Sequence, residues 1–241
     1  MTSIYRRALG PEFERLHPMI QRRFGFSSVD GVASIGTGVM EELWRGPAYT
    51  VPFLRVGTWR NIMFPERARD VAFTVENYAY RDGFGRETIT WIRTFQLRRR
   101  PRRFDASMVY SEQRGRIVDY LGNRQHLAVD IELEVDDQGG LRLRSGEQRF
   151  FEGPVAFRFP MALSGFADVR EWYADDEERW GDLQEVNTFV NRIVIPATDH
   201  DFYRSDEVWT LPETRGRAIT AADEETAGPP RGPMRAAGEG A

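Results

Sequence analysis

An arginine occupies a position where a strand should be apolar. In RETITWIRTF, residues 86–95, the odd positions run Glu87, Ile89, Trp91, Arg93 and Phe95. Alternate residues of a strand share one face, so Arg93 falls in the middle of the greasy one. A guanidinium removed from water is costly unless it is paired or bound. Glu76 in TVENYAY and Asp105 in RRFDAS are its candidate partners on neighbouring strands. Such a pair would either fix the strand register or orient the polar end of an otherwise apolar ligand. Glu76 shares a face with Tyr78 and Tyr80, so Trp91, Arg93, Glu76, Tyr78 and Asp105 together read as a polar–aromatic pocket lining. A buried Glu76 or Asp105 free of arginine would also suit general-base chemistry.

A second cluster lies in GTWRNIMFPE, where Trp59, Arg60 and Asn61 are consecutive. Placed between a helix and the sheet, Trp59 and Arg60 could cap a pocket mouth, with Arg60 forking onto a carboxylate or phosphate.

Other motifs carry less. LRRRPRRF, residues 97–104, has five arginines around Pro101, and reads first as a solvated turn between strands. Nucleic-acid modules interleave cations with exposed aromatics on one surface, whereas the aromatics here fall at strand positions; no nucleic-acid partner is expected. His17, His126 and His200 have no metal-ligand spacing, so no metal site is read. Asp175 to Glu178 form a solvated acidic turn rather than a calcium loop. GFGRE and GTGVMEE are too short for a dinucleotide fingerprint, no GxSxG is present, and no cofactor is implied.

Composition narrows the classes further. The chain has 241 residues with a formal charge of −4, which disfavours a globally basic polyanion binder. It has no cysteine, which removes disulfides, thiolate nucleophiles and Cys-ligated metals. All 33 of its basic Lys/Arg positions are arginine, which excludes a Schiff-base or phosphate-loop lysine. No apolar run approaches a membrane span or a signal peptide, so a cytoplasmic location is expected.

The elements that must position these residues follow from periodicity. Ser3 to Phe24 repeats apolar residues at helical spacing, and Pro11 and Pro18 break it into two or three short helices. VASIGTGVMEELWRG is ambiguous between a strand and a strand passing into a helical turn. PAYTVPFLRVGTWRNIMFPERARD predicts a short helix and an irregular aromatic crossing. From Val71 the period becomes two, with hairpin turns at Asp82–Gly85 and Asp136–Gly140. Leu127 to Val135 alternates with Asp130, Glu132 and Glu134, predicting a strand with one wet face. The expected fold is α+β and mainly antiparallel. Short N-terminal helices cap seven to nine strands in a strongly curved sheet or β-barrel, lipocalin-like or helix-grip-like. Residues 1–219 are read as one globular domain and 220–241 as a disordered tail.

SIYRRALGPEFERLHPMIQRRFG, GTWRNIMFPE, ENYAYRDGFGRETITWIRTF, RRFDASMVYSE and LRLRSGEQRFFEG resemble the bacterial domain-of-unknown-function family 4166 over residues 3–180. The resemblance implies a bacterial cytoplasmic domain and carries no catalytic residue. Members stand alone or accompany short-chain-dehydrogenase-like or membrane modules, which implies an oxidoreductase as partner. After Arg179 the chain departs from the family's Phe- and Gly-rich closing strands. The expected function is binding of a lipid-like or polyketide-like small molecule, apolar with a polar or anionic end. The alternatives are an interaction module regulating an oxidoreductase, and a carboxylate-based isomerase, cyclase or hydrolase.

Overall fold

The computed structural model describes residues 2–45, 48–123, 125, 127–152, 155–158, 167–174, 179–186, 189–196 and 200–204. The expected tail and the acidic turn at Asp175–Glu178 lie outside them.

Short helices open the chain: α1 (Ile4–Leu9), a 3-10 helix (Gly10–Arg15) and α2 (Pro18–Gly25). Pro11 and Pro18 sit in the first turns of the last two, where a missing N–H costs nothing. Ser3 caps α1 by accepting from the Arg6 amide, and His17 caps α2 through Nδ1. One stripe of these helices, Ile4, Tyr5, Phe13, Ile20 and Phe24, is fully buried against the sheet. Each such side chain contributes roughly 1.5–3 kcal/mol of apolar burial.

Strands follow: β1 (Val32–Arg45), then α3 (Val51–Trp59), then β2 (Ala68–Arg81), β3 (Glu87–Phe95), β4 (Arg102–Ser111), β5 (Arg116–Leu121), β6 (Leu127–Val135) and β7 (Leu141–Glu152). Next come β8 (Val155–Arg158), β9 (Ala167–Ala174), β10 (Arg179–Val186), β11 (Phe189–Pro196) and β12 (His200–Arg204). Among the described residues all pair antiparallel in a single sheet of twelve strands, more than the seven to nine expected. The predicted helix and crossing after β1 are α3 and residues 60–67, whereas VASIGTGVMEELWRG is strand almost throughout. Neighbours in sequence are neighbours in the sheet from β1 to β7, as hairpin turns dictate. β1 pairs β2 on one side, and on the other meets β12 at Val32–Gly36 and β11 at Val39–Arg45. The coarser expectation, mainly antiparallel β with a few short helices, is the fold observed.

The N-terminal helices cover one face of the sheet. Arg23 on α2 forms a fully buried ion pair with Glu171 on β9, Nε to Oε2 at 2.6 Å. The Tyr5 hydroxyl donates to Met108 Sδ at 3.2 Å. Gly139 closes the β6–β7 turn at φ +78° and accepts from the His17 amide at 2.9 Å; a Cβ there would lie 2.7 Å from His17 N. No side chain fits so close an approach.

The opposite face is not simply wet. Glu132 and Glu134 are exposed, as predicted, but Asp130 is buried between Arg114 at 2.9 Å and Arg149 at 2.7 Å. No described helix is long and apolar enough to cross a membrane.

Candidate ligand-binding site

Register sorts the predicted residues onto two faces. Arg93 lies opposite Val75 on β2 and Phe104 on β4, whereas Ile92 lies opposite Glu76 and Asp105. Glu76 and Asp105 are therefore on the far side of the sheet from Arg93 and are not its partners. Glu76 accepts instead from the Tyr78 hydroxyl at 2.6 Å. Asp105 is held by Arg103, at 3.0 Å, and by the Asn61 amide, at 3.1 Å. The sequence pointed to the two strands that flank β3 but not to the parity between them.

On the helix-covered face, Trp91 and Arg93 line a cavity of about 190 Å³. Its walls are mostly apolar, including Phe104 and Met108 from β4, Val129 and Ile131 from β6, and Leu143 from β7. The Arg93 guanidinium carbon stands 4.1 Å from the Phe104 ring centroid and 5.2 Å from that of Trp91. Both are cation–π distances, worth about 2 kcal/mol or more where water is excluded. Arg93 is 6% exposed.

The carboxyl that enters this cavity belongs to Asp119 of β5. It is 6% exposed, and its Oδ1 is buried with no hydrogen-bond partner. Burial raises its pKa to about 7, against the smaller opposing pull of Arg93. Trp91 Nε1 is likewise buried and without a partner. Tyr5, beside this group, has its hydroxyl pushed well up by burial and by Glu171 and Asp119, against Arg23 and Arg93. One apolar space thus collects a guanidinium, an indole N–H and a carboxyl poised between its two protonation states.

Asp119 was missed for a readable reason. In RIVDYL the cavity face carries Ile117, Asp119 and Leu121, the same signal that exposed Arg93. Val118 and Tyr120 on the other face are also buried, so no alternation stood out. Ser145 and Gln148 were hidden differently. A bulge opposite Val129–Ile131 lets both line the cavity although they are three residues apart.

None of Trp59, Arg60 and Asn61 lines the cavity; the backbone of Arg60 and Asn61 anchors the segment that follows them. Asn61, at φ +55°, passes its carbonyl to the Asp105 amide at 2.9 Å, and the Arg60 carbonyl accepts from Asn123 at 2.9 Å. This anchor sets Ile62 and Met63 over the cavity. Gly122 makes it fit: at φ +84°, an added Cβ would stand 2.6 Å from the Arg60 carbonyl oxygen. The side chains themselves point away, Trp59 being 70% exposed with the Arg60 guanidinium stacked 4.2 Å from its ring centre.

A second, surface groove of about 570 Å³ lies near Thr2, Arg7, Arg86, Glu87 and Glu112. Its charges already have partners: Arg7 with Glu112, Arg86 with Asp82, and Glu87 with Ser28. Among the described residues no three acidic or histidine side chains gather as a metal site.

The sequence model of the domain of unknown function 4166 matches residues 16–187, and the chain belongs to that family. It is 31% identical over 180 residues to the uncharacterized protein YndH of Bacillus subtilis strain 168, covering 74% of this chain and 85% of that one. A second model, of a bacterial transglutaminase-like cysteine proteinase, matches residues 166–218, but the chain has no cysteine to serve as nucleophile. No solved structure matches the chain.

Proposed function

We propose that this member of the domain-of-unknown-function 4166 family binds a small molecule in the Arg93–Asp119 cavity. The ligand's apolar body rests against Phe104, Met108 and Val129, and its polar end lies between Arg93 and Asp119. The observation that carries the reading is a single one: both ionisable groups open onto one apolar space, and Asp119 Oδ1 has no protein partner there. A buried polar atom left unsatisfied costs about 1–3 kcal/mol, and a ligand that hydrogen-bonds it recovers that cost on binding.

Size narrows the class. An apolar cavity of about 150 Å³ accepts one aromatic ring, so 190 Å³ suits a ring or short chain with one polar group. For a lipid-like or polyketide-like molecule, this is room for one end only. The return of β11 onto β1 supports a sheet wrapped around the cavity, with the Ile62–Met63 segment as its lid.

A second reading is favoured by Asp119 itself. A carboxyl near neutrality can give or take a proton at pH 7, and Arg93 with the Trp91 N–H would hold an oxyanion formed beside it. This is the carboxylate-based enzyme with Asp119 as acid–base, in place of Glu76 or Asp105.

Native mass spectrometry of the purified protein tests binding. A retained small molecule that disappears in Arg93→Met, with the fold intact by circular dichroism, supports the proposal. Equal retention by Arg93→Met counts against it.

A further inference from the structure

Two motifs not used by the cavity are both tied to the segment that joins α3 to β2. The first is α3 with the turn before it. Tyr49, Phe53, Val56 and Trp59 recur at helical spacing and are 74%, 77%, 63% and 70% exposed. They form an apolar stripe on the outer side of the helix, while Leu54 is buried on the inner side. Isolated exposed apolar residues are ordinary, but four in one stripe mark an interaction surface.

The second is the arginine-rich β3–β4 turn. Arg98, Arg99 and Arg100 are exposed, and among the described residues they have no carboxylate partner. Phe64 of the joining segment packs on Phe95 at the end of β3, ring centres 5.0 Å apart. Glu66 accepts from Arg102 Nε at 2.8 Å, just after the turn. Arg55 adds a further exposed cation on α3. No Asp or Glu occurs from Arg45 to Pro65 or from Gln96 to Phe104. This region is therefore locally cationic in a chain whose net charge is −4.

We propose that this region docks on a membrane surface carrying anionic headgroups. Phe53, Val56 and Trp59 enter the interfacial region, and Arg55 and Arg98–Arg100 lie over the headgroup phosphates. An apolar stripe fringed by arginine, rather than arginine alone, is the pattern of a helix lying in that interface. Tryptophan and tyrosine favour the same depth, because their rings are apolar and their tips polar. Each arginine near an anionic surface contributes attraction that is lost at high salt. The Ile62–Met63 lid directly follows this helix, so docking would bring the cavity edge to the bilayer. Docking through α3 and the arginine turn does not depend on what the cavity binds.

Vesicle flotation decides it, using phosphatidylcholine alone and phosphatidylcholine mixed with phosphatidylglycerol. The protein should float with the mixed vesicles and not with the neutral ones. Phe53→Ser with Trp59→Ser should abolish flotation. Replacing Arg98, Arg99 and Arg100 by Gln should weaken it about five-fold per arginine. All these side chains are exposed, so both variants should keep the wild-type circular dichroism spectrum. Absence of flotation with mixed vesicles, or flotation unchanged in both variants, overturns the proposal. So does binding of a DNA duplex that equals vesicle binding and ignores Phe53 and Trp59, which would make the arginines a general polyanion patch.

Discussion

Arg93 and Phe104 face each other directly across β3 and β4, with the guanidinium carbon 4.1 Å from the ring centroid. The ring gives the cation an apolar neighbour that still attracts it, so the charge is held inside the sheet on the cavity side. Asp119 shares that space and is the group on which the charge acts.

Arg93→Met should raise the midpoint of Asp119 above its value of about 7, since burial would then act without the opposing cation. The carboxyl carbon shift of Asp119, followed by NMR through the titration, reports this directly. An unchanged midpoint would mean the two groups do not interact.

Stability should carry the same signature. The folded protein holds the Asp119 proton up to about pH 7, whereas the unfolded chain loses it near its ordinary value of about 3.9. Between those values the native state binds more protons, so this group's contribution falls as pH rises, by up to about 1.4 kcal/mol per pH unit. Asp119→Asn should flatten that part of the profile and be more stable than wild type above pH 7. Identical slopes for the two proteins in urea unfolding would contradict it.

The lid should depend on Gly122. Gly122→Ala forces a side chain into positive φ and against the Arg60 carbonyl. A loss of about 1–3 kcal/mol is expected, with faster amide exchange at Asn123, whose N–H the Arg60 carbonyl accepts. Wild-type stability in this variant would show that the crossing is not packed as described.

Arg23 and Glu171 make a buried pair whose partners should not be separable. Arg23→Met or Glu171→Leu alone should cost about 3–5 kcal/mol, because each leaves a buried charge behind. The double variant should be markedly more stable than either single one. Additive losses in thermal unfolding would refute this.

Much of this was legible in the residues. Helical spacing and two prolines gave the broken N-terminal cap, and the turns at Asp82–Gly85 and Asp136–Gly140 gave their hairpins. Arg93 was found by parity, because its neighbours on that face are large and apolar. Its surroundings were not, because which residues share a face across strands depends on register, and turn lengths alone left that open. Asp105 and Glu76 were near enough in sequence to be plausible and lie on the wrong side by one residue. Asp119 sits in a strand buried on both faces, and Ser145 and Gln148 depend on a bulge, so each escapes a period-two pattern. Glu171 is paired by a helix far away in the chain, a contact no local pattern encodes.

The most direct test is ligand-observed NMR with single-ring carboxylic acids, such as benzoic acid, and neutral rings of the same size. The account predicts that ring acids bind the native protein, that the neutral rings bind more weakly, and that Arg93→Met loses the acids while Arg98→Gln keeps them. If no ring-sized molecule binds, or if Arg93→Met binds the acids as well as the native chain does, the cavity is packing space and not a site.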